Sequence, residues 1–209
     1  MYNPKHFEET RVDVLHAHIR AHPLGALVVM TPEGLDANHI PIEVDPDPAP
    51  FGTLRGHIAR ANPVWRQAHE APALAIFQGP STYISPAWYV TKRETAKVVP
   101  TWNYAVVHAH GTLRFIDDRD WLRAFVTRLT DRHEAGRPEP WKVTDAPADY
   151  VDNMVGAIIG LELPIARLVG KWKVSQNRPP RDREGVVEGL AAEHGDAGAT
   201  MADLVRRTL

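Results

Sequence analysis

Apolar and polar positions along the chain fall into short blocks, most of them with strand character. Val12, Leu15 and Ile19 share one face of a helix between Glu8 and His22, and Pro23 closes that segment. Leu24 to Thr31 is a compact apolar run, Pro32-Glu33-Gly34 is a turn signal, and Leu35 to Val44 is apolar with polar interruptions. Together these predict a hairpin. After the proline-rich loop Asp45 to Pro50, Gly52 to Ile58 resumes strand character, and Asn62 caps a short helix with Pro63 at its first position. Ala73 to Phe77 and the long run Trp102 to Ile116 predict further strands, the second with a bulge at Gly111. Asp117 and Asp118 open the clearest helix, whose apolar stripe is Trp121, Leu122, Phe125, Val126 and Leu129 and which Gly136 ends. A shorter helix spans about Ala148 to Met154. Ile158 to Leu163 and Ala166 to Val174 give two strands joined around Pro164, and Glu184 to Leu209 reads as helix interrupted at Gly189, Gly195 and Gly198.

Many strands, with helices inserted irregularly between them, predict an α+β fold built on a mainly antiparallel β-barrel, not a doubly wound sheet. A chain of 209 residues can bury a full core as one domain. The expected organisation is one domain over residues 1–183 with 184–209 as its C-terminal helical extension. The absence of cysteine removes disulfides, thiolate metal sites and cysteine nucleophiles. A formal net charge of -2 gives no global attraction for phosphate backbones, so DNA binding is possible but not supported by charge. No apolar run approaches the ~18 to 20 residues that span a bilayer, and MYNPKHFEETR lacks a signal-peptide hydrophobic region. A cytoplasmic protein with no membrane partner is therefore expected.

The richest stretch for chemistry runs from Gln78 to Tyr104. It interleaves Tyr83, Trp88, Tyr89, Trp102 and Tyr104 with turn formers and short polar side chains, and reads as a wall for a flat conjugated ligand or as aromatic packing at a dimer seam. In Arg55-Gly-His-Ile-Ala-Arg60-Ala-Asn62-Pro63, a strand end meets a capped helix start, with Arg60 and His57 adding charge or donors. This is a candidate phosphate or carboxylate pocket, or simply an Asn-Pro cap with solvated arginines. Lys171-Trp-Lys173-Val-Ser175-Gln176-Asn177-Arg178 packs many donors at a strand end, suited to a heterocycle edge or a delocalised anion, or to a polar turn. His108 and His110 share a strand face at a spacing that suits a metal, but no third ligand lies in register. His16 and His18 point apart on a helix. Hydrolase motifs, a P-loop and a dinucleotide fingerprint are all missing, and the only candidate helix pair for reading DNA, in the tail, has an acidic first helix.

MYNPKHF, NHIP (Asn38 to Pro41), GHIARANPVW (Gly56 to Trp65), FQGPSTYISPAWY (Phe77 to Tyr89), VPTWNYAVVHAHG (Val99 to Gly111) and KVSQNR (Lys173 to Arg178) occur in this order. Together they resemble the PaiB-like family, described as FMN-binding negative transcriptional regulators, from residue 1 to about 180. The resemblance implies a split β-barrel similar to that of pyridoxamine phosphate oxidase and flavin reductases, a homodimer, and FMN held between subunits. It implies that Arg55, Gly56, His57, Arg60 and Asn62 hold the phosphate. His39, Ser85, Thr101, Trp102 and Asn103 would approach the ring or ribityl chain, Gln176, Asn177 and Arg178 would come from the partner subunit, and Lys92 completes the set. Two functions compete on this basis: an FMN-binding negative regulator, and a flavin-dependent oxidoreductase acting on a small substrate or reduced nicotinamide. Haem on the same barrel, with His39, His57 or His108 as axial ligand, is a third.

Overall fold

The computed structural model describes residues 1–193 and 195–209. Its strands are β1 (Glu8–Glu9), β2 (Leu24–Thr31), β3 (Gly34–Asp45), β4 (Thr53–Ala59), β5 (Pro72–Ile84), β6 (Thr101–Thr112), β7 (Arg114–Ile116) and β8 (Ile158–Lys173). Its helices are α1 (Val12–Ala21), α2 (Val64–Gln67), α3 (Thr91–Thr95), α4 (Arg119–Glu134), α5 (Ala148–Gly156), α6 (Pro180–Glu193) and α7 (Gly195–Arg206). The pairings β2 with β3 and β5, β3 with β4, and β8 with β1, β4 and β7 are all antiparallel. The fold is thus α+β and mainly antiparallel, with inserted and C-terminal helices, as the pattern predicts. Among the described residues no helix is long and apolar enough to cross a membrane.

The chain divides into two compact units. The larger comprises His16–Phe77 and His108–Leu168. Its hairpin forms where expected: Thr31 pairs with Gly34 across a two-residue turn, with φ +117° at Gly34 admitting no ordinary side chain. Alternate residues of β2 to β4, among them Leu27, Val29, Ile42, Val44, Leu54 and Ile58, point into the core. Asp118 caps α4 by accepting from the amides of Asp120 and Trp121, both at 2.9 Å. The helix buries Leu122 and Phe125, and Trp121 stacks on Phe125 at 5.3 Å over Gly160, where a Cβ would collide with the indole.

The smaller unit comprises Met1–Leu15, Gln78–Val107 and Val169–Leu209. Here the two-residue β1 pairs with Gly170 and Lys171 of β8. Helices α6 and α7 fold against Ile84, Tyr89 and Val174 through Val186, Leu190, Met201 and Val205, so residues 184–209 share that core. Gly189 lets the Trp88 ring lie flush on α6. Asp182, fully buried, accepts from Thr91 N at 3.0 Å and Thr91 Oγ1 at 2.7 Å.

Several boundaries differ from expectation, each for a local reason. The first helix starts at Val12 because Glu8 and Glu9 are drawn into strand pairing. Strand β5 continues through Gly79-Pro80 to Ile84, and α3 forms in the connector beyond it. Strand β8 is not interrupted at Pro164: that residue pairs with Thr53, and the following amide, Ile165 N, donates to Gly52 O at 3.0 Å. The run from Trp102 to Ile116 breaks at Leu113. Gly111 lies within a continuous strand whose neighbour, the Pro164 carbonyl, leaves no room for a Cβ. Pro63 precedes the four-residue α2, and Asn62 Oδ1 accepts from Val64 N at 3.0 Å. The expected interruption at Gly189 does not occur, whereas Gly195, with φ +51°, starts α7.

His18 on α1 is buried and hydrogen-bonds the Phe77 carbonyl through Nε2 at 3.1 Å. Burial, with His22 nearby, lowers its pKa to about 4. The neutral form is the folded form, so its contribution is full above the unfolded pKa of ~6.5 and is lost as pH falls toward 4, by up to about 3 kcal/mol. Urea unfolding followed from pH 7 to pH 4 should show this decline, and His18→Gln should flatten it.

Candidate functional site

The beginning of β6 and the end of β8 bring Thr101, Trp102, Asn103, Lys171 and Lys173 together in the smaller unit. Asn103 is buried, and its Nδ2 donates to Ser175 Oγ at 2.9 Å. Ser175, with φ +68°, ends the strand direction. Gln176 then turns back onto its own backbone, accepting from Val174 N at 2.8 Å and donating to Trp172 O at 2.5 Å. This closed turn presents Arg178, whose guanidinium lies 4.7 Å above the Tyr89 ring. Asn177 is exposed.

Positive charge accumulates at this turn. Lys171, only 7% exposed, donates to Tyr2 O at 2.9 Å and stands 5.4 Å from the Tyr104 ring. Lys173 Nζ donates to Thr101 Oγ1 and, at 2.5 Å, to Trp102 O. Among the described residues, Lys171, Lys173 and Arg178 form no ion pair with a carboxylate. Burial lowers the Lys173 pKa, and the charges of Lys171 and Arg178 lower it further. Beside these cations Trp102 is 56% exposed and Tyr83 41% exposed, packed edge to face at 6.2 Å. An anion would relieve the like-charge strain, and a planar ring could use the aromatic edge.

The other aromatics of the Gln78 to Tyr104 stretch do different work. Tyr89 is core, and Trp88 packs on α6 with its indole N–H donating to Glu193 Oε1 at 3.0 Å. Ser85 accepts from Ala87 N at 3.1 Å, and Lys92 is exposed on α3.

His39, Arg55, Gly56, His57, Arg60 and Asn62 belong to the larger unit. Arg60 forms a two-pronged pair with Asp117 at 2.6 and 2.7 Å and donates to Gly156 O at 2.7 Å. Arg55 is held by Asp45 and by Glu162 at 2.8 Å. Asn62 Nδ2 donates to Asn38 Oδ1 at 2.7 Å, while His39 is exposed on β3. Gly56 sits 3.2 Å, measured from a notional Cβ, from the Pro41 carbonyl. Both arginines thus already have carboxylate partners. The ring centroids of His108 and His110 are 6.3 Å apart, His110 Nε2 pairs with Arg167 at 3.0 Å, and no group of three potential metal ligands occurs among the described residues. Tyr83, Lys171 and Lys173 stand in the aromatic wall and the donor-rich strand end read from the sequence but were not carried into the cofactor-binding set. The signal for the lysines was present in Lys171-Trp172-Lys173, since a strand places alternate residues on one face.

Comparison with known proteins gives this site a context. A family model described as "Putative FMN-binding domain" matches residues 1–167. An uncharacterized protein of Emericella nidulans is 34% identical, covering 95% of this chain and 93% of its own. The Bacillus subtilis protease synthase and sporulation protein PAI 2 is 30% identical over all of this chain and 98% of its own. Among solved structures, an FAD and heme binding protein from Mycobacterium smegmatis superposes with a TM-score of 0.60 at 19% identity, covering 79% of this chain and 73% of that one. The flavocytochrome Anf3 from Azotobacter vinelandii gives 0.59 at 14%, covering 79% and 69%. The fold shared with these is the split β-barrel.

Replacing Asn103 by Ala leaves the buried Ser175 hydroxyl without its amide donor. Stability should fall by about 1 to 3 kcal/mol, read from the urea midpoint, and Arg178 should lose its fixed position over Tyr89, read from the Tyr89 ring resonances.

Proposed function

The chain belongs to this FMN-binding family, FMN is its cofactor, and from that premise we propose that it is an FMN-binding regulatory protein of PaiB type whose flavin is held by the β6–β8 turn. The observation that carries the reading is the group of three cations, Lys171, Lys173 and Arg178, without carboxylate partners beside an exposed Trp102–Tyr83 edge. A dianionic phosphate and a planar isoalloxazine match that donor set. Lys173 and Arg178 would hold the phosphate, with Lys171 adding field from its buried position. Trp102 would orient the ring. Thr101, Asn103 and Ser175 fix the backbone from which these groups project.

Bound flavin supplies reversible one- and two-electron chemistry. Among the described residues α6 carries four carboxylates against two arginines, which supports indirect repression on this reading. The reading includes a cytoplasmic homodimer, supported by the family resemblance and by the exposed apolar Val99 and Trp102. The exposed ring edge also favours a second reading, a flavin-dependent oxidoreductase on a small substrate or reduced nicotinamide.

Lys173→Met should weaken FMN binding roughly 10- to 100-fold, the cost of one charge-assisted hydrogen bond, while riboflavin binding stays within a few-fold. Because the Lys173 pKa is lowered, wild-type FMN affinity should decline on the alkaline side sooner than an ordinary lysine would allow, and the variant should lack that decline. Equal losses for both flavins would remove Lys173 from the phosphate site. Turnover of reduced nicotinamide by the FMN-loaded protein would favour the oxidoreductase, and a salt-dependent shift of its own promoter fragment would favour direct regulation.

A further inference from the structure

Strand β3 has an unpaired edge. Ile42 to Asp45 pair with β4, whereas Gly34 to Pro41 pair with β2 alone. The Ile42 amide donates to the Pro23 carbonyl at 2.8 Å, on the β2 side. Backbone direction alternates along a strand, so the amides of Asp36, Asn38 and Ile40 also point to β2, and the N–H and C=O groups of Leu35, Ala37 and His39 point outward. Among the described residues these outward groups have no backbone partner, and all three residues are exposed. From Leu35 to Ile40 the edge has no proline, no lysine and no bulge, the devices that keep a strand edge from recruiting another chain.

The two faces of this edge differ. Leu35 and Ala37 share one face with Met30 and Val28, their partners in the register, and Leu35 and Met30 are 75% and 57% exposed. Asp36 and Asn38 lie on the other face, where a groove of about 780 Å³ runs between the hairpin and the start of α2. Among the described residues, Glu33 and Asp36 are the only ionisable side chains that line it. Asp36 accepts from Asn38 Nδ2 at 2.8 Å and Glu33 from Gln67 Nε2 at 3.4 Å. Neither joins an ion pair among the described residues.

We propose that this edge takes up an extended peptide segment of a partner protein as an added antiparallel strand, with apolar and basic residues in alternation. Outward N–H and C=O groups at every second residue match the backbone of an extended chain. Side chains of an added strand lie on the same two faces as their neighbours. Alternate positions therefore meet Leu35 and Ala37, where apolar groups are favoured, and the positions between meet Asp36 and the groove, where unpaired carboxylates favour Lys or Arg. The neighbouring strand pairs are antiparallel, and in that arrangement the apolar residues of the peptide are those whose amides face β3. The edge makes no use of the flavin, so the inference stands apart from the reading above.

Calorimetric titration of the full chain with the capped hexapeptide Ac-Lys-Val-Lys-Val-Lys-Val-NH2 tests this, beside its Glu-Val counterpart and two N-methylated forms. At low ionic strength the basic peptide should bind at least about tenfold tighter than the acidic one, with the gap closing as salt rises. N-methylation of the valine amides should abolish binding, whereas N-methylation of the lysine amides should preserve it. In hydrogen exchange, the amides of Leu35, Ala37 and His39 should slow about tenfold at a peptide concentration about ten times its Kd, and those of Asp36 and Asn38, already bonded to β2, should change little. Ala37→Pro removes one outward donor where no ladder bond is lost, and should abolish binding with the fold intact. If that variant unfolds, Glu33→Gln combined with Asp36→Asn serves instead and should erase the preference for the basic peptide. Equal effects of the two methylation patterns, equal affinity for the basic and acidic peptides, or unchanged exchange at the three edge amides would overturn the proposal. So would absence of basic-peptide binding at millimolar concentration, including the case where Ala37→Pro instead changes the oligomeric state and marks the edge as paired with a second copy.

Discussion

Hydrogen-bond register along β8 governs most of what this molecule can do. Sixteen residues run without a break from Ile158 to Lys173, pairing with β4 and β7 in one unit and with β1 in the other. Because side chains alternate along a strand, a shift of one residue would turn Lys171 and Lys173 to the opposite face. Pro164 is accommodated within this register at Thr53, and Glu8 and Glu9 fix its far end against Lys171 and Gly170. The position of the two ammonium groups is therefore set within the smaller unit by the β1 pairing.

The cost of that position is electrostatic. A buried lysine, a second lysine with lowered pKa and an arginine over a tyrosine ring share one turn without a carboxylate partner. The arginines of the candidate anion pocket differ, since Arg60 is paired with Asp117 and Arg55 with Glu162 and Asp45. Clustered positive charge that the protein itself leaves unneutralised is the arrangement expected where the neutralising anion is a ligand. On the proposed reading FMN provides that anion and a ring for the aromatic edge.

Much of the fold was legible in the sequence because hydrophobic period and turn chemistry agreed. Pro32-Glu33-Gly34 marked the β2–β3 hairpin, and Asp118 marked the start of α4. Failures came where tertiary pairing overrode a local signal. The strand from Ala73 was read as ending at Phe77 and Pro164 as a junction, yet Gly79-Pro80 and Pro164 lie inside strands, and Glu8 and Glu9 read as helix, yet they pair with β8. Of the candidate residues, Thr101, Trp102 and Asn103 at the start of β6 lie beside the turn that carries Arg178. Lys171 and Lys173 were read as donors at a strand end but not placed in the cofactor-binding set, since the absence of counter-charge is a property of three-dimensional neighbours. The engagement of Arg60 by Asp117, 57 residues away, was equally beyond reach of local spacing.

The central claim is that the uncompensated cations at the β6–β8 turn hold the flavin phosphate. Parallel calorimetric titrations of the purified chain with FMN and with riboflavin, at matched ionic strength and neutral pH, test it most directly. The account predicts that FMN binds tighter by roughly two orders of magnitude, with the gap shrinking as salt rises. Equal affinities for the two flavins would contradict it.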